Sequence, residues 1–320
     1  MNQLDQLRTM TTVVADSGDI EAIKQHQPTD ATTNPSLILA AAQMPAYREM
    51  VKASLQRCAS AEGRDNTAAL CDQLFVDFGV EILQHIPGRI STEIDATLSF
   101  DTDTCVSRAL SIIDRYQAAG IDSDRVLIKL ASTWEGIRAA EILEDKGIHC
   151  NMTLLFSLNQ AIACADAGAT LISPFVGRIT DWYKTRDGVE HFEPEHDPGV
   201  QSVQRIYQYY KHFDYDTEVM AASFRTPEQV LALSGCDLLT IAPNLLQNLA
   251  AREGDLAQQL SIEAAQKAKV ERWPPITQSQ FLWHLNEDAM AHEKLADGIR
   301  RFAQDQLSLE QFIHTLVKPI

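Results

Sequence analysis

The chain has 320 residues, 45% of them hydrophobic, with 14 glycines and 12 prolines; this is the composition of a folded protein with a large core, not of a disordered or low-complexity chain. A formal net charge of −17 excludes non-specific attachment to nucleic acid or to an anionic membrane, and obliges an anionic ligand to find a local basic pocket. Length alone suggests about two domains, although α/β barrels of this size are single domains.

Met1 to Asp5 show no basic segment followed by an apolar one, and no run of about 18 apolar residues occurs. The six cysteines, Cys58, Cys71, Cys105, Cys150, Cys164 and Cys236, lack metal-ligand spacing and suit a reducing compartment. The expectation is a cytoplasmic protein that spans no membrane. Strand is predicted over 11–15, ending at the turn and helix-start cluster Asp16-Ser17-Gly18-Asp19. A short helix over 20–26 leads to a strand at Asp30-Ala31-Thr32-Thr33, closed by the Asn34-Pro35 step; Asn34 or Ser36 can cap a helix over 37–44. Helix follows over 47–60, then a polar loop over 62–66. Leu70, Leu74, Phe78, Ile82 and Ile86 recur every fourth residue, so 68–86 reads as helix. The Asp77-Phe78-Gly79 triplet inside it resembles the kinase metal-binding triplet only by accident, since no glycine-rich or catalytic loop accompanies it.

A strand at 90–95 carries acids at Glu93 and Asp95 among β-branched neighbours. Helix over 102–119 precedes Arg125-Val126-Leu127-Ile128-Lys129-Leu130-Ala131, whose apolar residues on both sides of Lys129 mark a strand buried on both faces. Lysine is almost never fully buried without compensation. Taking its ammonium out of water disfavours the charged form, and a neutral amine attacks carbonyl carbon. Taken alone, Lys129 reads first as a structural residue that snorkels to water or pairs with a carboxylate, and only the context turns it toward catalysis. Helix over 134–146, strand at 149–156, helix over 158–167 and strand at 170–175 follow, then a long loop through Gly199. Its His191 and His196 read as surface residues, not metal ligands. Helix over 200–211, strand at 218–223, helix over 227–233 and strand at 237–242 complete the series. Beyond about 245 the chain reads as polar outer helices packed on the barrel, broken at Trp273-Pro274-Pro275, with no linker to a second domain.

Strands near 13, 31, 92, 127, 152, 172, 220 and 240 alternate with helices, as parallel crossovers require. The expected fold class is α/β, a single-domain (β/α)8 TIM barrel with additional helices spanning 1–320. An open doubly wound sheet is the alternative, but no G-x-G-x-x-G follows a strand. Chemistry in such a barrel sits at the carboxyl ends of its strands. Those ends hold Asp16, Asn34, Glu93, Lys129, Asn151 with Thr153, Ser173, and Ser223 with Arg225. Asp16 is explained equally by helix capping and Asn34 by a turn. Asn151 and Thr153 share one face of a strand, and a buried Glu93 needs a partner that Lys129 can supply. Together the set is too polar for packing alone and suits a sugar site.

Two segments, Asp30-Ala31-Thr32-Thr33-Asn34-Pro35-Ser36-Leu37-Ile38 and Leu127-Ile128-Lys129-Leu130-Ala131-Ser132-Thr133-Trp134-Glu135-Gly136-Ile137, resemble the signature segments of the transaldolase family. Ser91-Thr92-Glu93-Ile94-Asp95-Ala96, Cys150-Asn151-Met152-Thr153-Leu154-Leu155-Phe156 and Ile172-Ser173-Pro174-Phe175-Val176-Gly177-Arg178 resemble further family blocks in the same order. The resemblance implies a cofactor-independent barrel enzyme, often dimeric, acting on sugar phosphates. Lys129 is then the Schiff-base lysine, Asp16 the acid/base of carbon–carbon cleavage, and Glu93 with a water held by Thr153 the acid/base of dehydration. Asn34, Asn151 and Ser173 hold the substrate's hydroxyls, with Thr32 and Phe175 beside them. Arg178 and Arg225, with Ser223, form the phosphate site. Separately from the resemblance, an enamine that must survive until its acceptor arrives needs an enclosed site, and loops near Phe175 and Phe224 are expected to help exclude water. A different class I aldolase that releases its three-carbon product is the nearest rival; a non-catalytic sugar-phosphate-binding barrel is the other. Neither 186–197 nor 250–280 carries a family motif.

Overall fold

In the computed structural model, which describes residues 1–63 and 66–317, eight parallel strands close into a barrel in chain order. They are β1 Thr12–Asp16, β2 Asp30–Thr32, β3 Ile90–Glu93, β4 Val126–Ala131, β5 Cys150–Leu155, β6 Leu171–Pro174, β7 Glu218–Ala221 and β8 Leu238–Ile241. Closure comes from β1 lying parallel to β8, with Val14 opposite Thr240. Of the loop expected over 62–66, residues 64 and 65 lie outside the described residues. The fold is a single-domain (β/α)8 barrel.

Alternation along each strand sends every second side chain inward, and the inward set is layered. At the amino-terminal end Arg89 spans the barrel, with Nε 3.2 Å from Asp30 and Nη1 2.8 Å from Glu218 on the far side. Val14, Leu127, Leu171, Met220 and Leu238 form an apolar plug above it. One step further along the strands the inward residues become polar, among them Asp16, Lys129, Ser173 and Thr240. Outward-facing residues join the larger core between sheet and helices. Loops enter helices through side-chain caps: Asp19, Thr133 and Ser157 each accept from a first-turn N–H.

Three features differ from the sequence reading. A five-residue helix, Gln3–Leu7, precedes β1, capped by Asn2. Residues 176–187, expected as loop, form the helix Val176–Asp187. Gly177, a β-branched pair at Ile179-Thr180 and the nearby Pro174 disguise it, yet Val176, Ile179 and Tyr183 repeat at three and four and face the core. The last helix, Ala289–Val317, about 44 Å long at 1.5 Å per residue, does not stay on the outside. It packs against the helices Pro35–Ala42 and Val176–Asp187 and against β5, so it covers the carboxyl mouth. Gly298 permits this approach, because a Cβ there would press into the Leu154 side chain. Ser36 Oγ donates to Asp305 on the same helix.

The apolar plug sets the depth of the mouth. Leu127→Ala, which empties one side of it, should destabilise the protein by about 2–5 kcal/mol. Urea unfolding at unchanged slope measures this, and a loss below about 1 kcal/mol would mean the plug carries no such packing.

Candidate active site

Parallel pairing of β3 with β4 places Glu93 opposite Lys129, and pairing of β4 with β5 places Lys129 opposite Asn151. Lys129 and Glu93 are each only 5% exposed, and Lys129 Nζ lies 3.1 Å from Glu93 Oε2. That contact is an ion pair; the hydrogen bond of the ammonium goes to the Thr33 carbonyl at 3.4 Å. This is the compensation that a lysine in a barrel interior requires. Burial raises the Glu93 pKa, and the Lys129 charge opposes the rise.

The residues above this pair enclose a cavity of about 210 Å³. One water needs only about 10–15 Å³ of such space, so this is a ligand-sized chamber and not a packing defect. Asp16, Thr32, Asn34, Lys129, Thr153, Ser173, Phe175, Arg178, Ser223 and Arg225 all line it. Glu93 and Asn151 do not: Glu93 lies against the Lys129 amine and Asn151 is fully buried. Asn151 donates to Ser91 Oγ at 3.0 Å and accepts from Ser173 Oγ at 2.5 Å, so it orients a lining hydroxyl. Asn34 does cap the following helix, its Oδ1 accepting from Leu37 N at 3.0 Å, which leaves its amide nitrogen for the cavity. Asp16 accepts from Thr32 Oγ1 at 3.1 Å, and Thr32 is within 2.9 Å of Thr240 Oγ1. Burial raises the Asp16 pKa, with Lys129, the Thr32 hydroxyl and Arg178 pulling the other way. Thr153 Oγ1 is buried with no hydrogen-bond partner among the described residues. After it, β5 changes register and Leu154 takes a left-handed φ of 52°, a bulge of the kind found beside active sites.

The other end of the cavity is basic. Arg178 stands in the first turn of the helix Val176–Asp187, its guanidinium 4.9 Å from the Phe175 ring and 5.3 Å from the Phe302 ring. Burial lowers its pKa, with the positive charges of Arg225 and Arg301 adding to the effect. Its Nη1 is buried with no hydrogen-bond partner among the described residues. Ser223, at a left-handed φ of 62°, and Arg225 complete this end. Ser223 O accepts from Gly177 N at 2.7 Å; Gly177 is required here because a Cβ would strike that carbonyl and Arg225. His191 is an exposed residue near Glu193, outside the cavity.

Several lining residues, Thr240 and Phe302 among them, lie outside the set read from the sequence. Thr240 was detectable, being a lone hydroxyl near the end of an otherwise apolar strand. Phe302 was not: it comes from the terminal helix, whose amphipathic pattern gives no hint that it crosses the mouth.

A buried amine against a carboxylate, at the carboxyl mouth of a barrel with a cationic far wall, is an arrangement chemically suited to carbonyl compounds that carry negative charge. The family model described as Transaldolase/Fructose-6-phosphate aldolase matches residues 13–313. Curated proteins named Transaldolase from Vibrio parahaemolyticus and Vibrio vulnificus are each 56% identical, over 315 and 314 residues, covering 98% of this chain and 98% of each relative. A third, from Vibrio campbellii, is 56% identical over 315 residues with the same coverage. The chain belongs to the transaldolase/fructose-6-phosphate aldolase family, and it is an enzyme that transfers ketone groups.

The raised Asp16 pKa fixes the sign of a stability effect. A carboxyl whose folded pKa exceeds its unfolded value contributes stability present below the unfolded pKa and lost as pH rises through the folded one. Asp16→Asn, which keeps an acceptor for Thr32, should match the wild type below about pH 4 and gain on it as pH rises through the folded pKa, the advantage then holding constant. Thermal unfolding across pH tests this; a less stable variant at pH 8 would contradict it.

Proposed function

We propose that this enzyme acts as a transaldolase of the pentose phosphate pathway. It moves a dihydroxyacetone unit from sedoheptulose 7-phosphate to D-glyceraldehyde 3-phosphate, giving erythrose 4-phosphate and fructose 6-phosphate, through a Schiff base on Lys129. The observation that carries this reading is the buried Lys129–Glu93 contact of 3.1 Å beneath a cavity whose far wall holds Arg178 and Arg225.

In this reading the Lys129 amine adds to the ketose carbonyl carbon, and the oxygen takes a proton. Glu93, with a water held by the unpartnered Thr153 hydroxyl, protonates that hydroxyl so that it leaves as water and an iminium forms. The Asp16 carboxylate takes the C4 hydroxyl proton while the C3–C4 bond breaks. The bonding pair moves toward the iminium nitrogen, giving a neutral enamine, and the aldehyde departs. The acceptor aldehyde then reverses these steps, with Asp16 returning the proton. A carboxyl with a raised pKa suits a group that both takes and returns a proton. Asn34 and Ser173, the latter set by Asn151, hold the three-carbon unit with Thr32 nearby. Arg178, Arg225 and Ser223 receive the phosphate through planar, charge-assisted donors, and Phe175 helps to exclude water. The same family resemblance supports a cytoplasmic homodimer, which sedimentation of the purified enzyme tests.

Borohydride reduction with fructose 6-phosphate should leave a stable mass adduct on the Lys129 peptide, absent in a folded Lys129→Ala variant; no adduct on that peptide would overturn the assignment. Transfer also separates this reading from a releasing aldolase, since product should depend on added acceptor aldehyde. Rapid release of dihydroxyacetone without acceptor would favour the aldolase. Arg178→Ala should weaken phosphorylated substrates by about 1.5–3 kcal/mol, the scale of a lost charged hydrogen bond, read as a higher KM. An unchanged KM would remove Arg178 from the phosphate site.

A further inference from the structure

The two arginines at the basic end differ in how they are held. Arg178 is clamped between two aromatic rings in the interior, whereas Arg225 is 42% exposed at its side chain. An exposed arginine ordinarily samples many rotamers, and ordering it on binding a ligand costs affinity. Here the side chain is ordered by Asp181. A single oxygen, Asp181 Oδ2, accepts from Arg225 Nε at 3.1 Å and from Nη2 at 2.9 Å. With one edge of the guanidinium taken, Nη1 donates to Ser223 Oγ at 3.3 Å and to the Ser223 carbonyl at 3.4 Å, and both residues line the cavity. Asp181 itself does not line the cavity. It stands three residues after Arg178 on the same helix, hence on the same face.

The backbone of Arg225 is held from the other side. Its N–H donates to Gln229 Oε1 at 2.8 Å, and Gln229 Nε2 donates to the buried Asp197 carboxylate at 2.8 Å. Asp197 also accepts from Thr180 Oγ1 at 2.6 Å, on the helix that carries Arg178 and Asp181. One helix therefore supplies a phosphate-facing arginine, the carboxylate that aims the second arginine, and a hydroxyl in the network that fixes the second arginine's main chain.

We propose that Asp181 is a positioning residue for phosphate recognition, holding the Arg225 guanidinium in its ligand-ready orientation before substrate arrives. This rests on the phosphate-site reading above. An exposed ion pair of this kind adds little to stability, so its removal leaves the fold intact, and the contribution is to binding. The alternative is that Asp181 is only a nearby anion that repels phosphate or competes with it for Arg225. The two accounts predict opposite signs.

The test is competitive inhibition by inorganic phosphate, together with the kinetics of fructose 6-phosphate, for Asp181→Ala, Asp181→Asn and Arg225→Ala in the full-length enzyme. Asp181→Ala should raise the phosphate inhibition constant and the KM by about 2- to 12-fold, the cost of ordering one long side chain. The change should fall on KM, with kcat held within about twofold. Because one oxygen accepts both donors, the amide oxygen of Asp181→Asn should restore most of the lost affinity. Tighter phosphate binding in both variants, unchanged binding in Asp181→Ala, or an Asn variant as weak as the Ala variant would each overturn the proposal. Arg225→Ala separates the two levels: if it too leaves phosphate affinity unchanged, the phosphate-site reading fails. If Arg225→Ala alone weakens binding, only the role of Asp181 fails.

Discussion

The contact between Lys129 and Glu93 is the constraint around which the interior is arranged. Neither side chain is tolerable alone in a barrel, because an unpaired buried charge is among the most destabilising features a fold can carry. Pairing β3 with β4 in a register that sets Glu93 against Lys129 resolves both at once. That register also decides what lies above and below. An apolar plug of five side chains closes the barrel beneath the pair, and a polar chamber opens above it.

The chamber is organised by the distance between its two ends. Carbonyl chemistry is proposed where the Lys129 charge reaches both the Asp16 and the Glu93 carboxyls. The cationic end depends on elements outside the barrel, namely the helix Val176–Asp187 and the terminal helix whose Phe302 faces Arg178. Two residues at this mouth, Leu154 and Ser223, adopt left-handed backbone conformations, each an unfavourable choice of order 1–3 kcal/mol for a non-glycine residue. Such strain persists only where surrounding contacts over-determine it. Around Ser223 those contacts are the Gly177 N–H, the Arg225 N–H held by Gln229, and the Asp197 carboxylate behind Gln229.

The stretch around Asp197 shows why the acidic segment following Arg186 is misleading when read as composition. Its acids are indistinguishable in sequence from a solvated charge run. Glu193 is exposed, whereas Asp197, four residues later, is 3% exposed and caps the helix Pro198–His212 while receiving Thr180 and Gln229. Burial of a carboxylate depends on partners distant in the chain, and these are not visible from its neighbours in sequence.

What the sequence by itself determined is local and periodic. The eight strand positions follow from β-branched and leucine-rich runs, and most helices from apolar spacing. The polar residues at the strand ends follow from the rule that alternate side chains share a face. Tertiary structure decided what depends on elements remote in the chain. It buried Asn151 beneath the Ser173 hydroxyl, made a helix of residues 176–187, and laid the terminal helix across the mouth with Phe302 against Arg178. The physical reason is that strand periodicity records which face is buried, but neither depth within a face nor the path of an amphipathic helix over the surface leaves a periodic trace. Those are set by packing among distant segments.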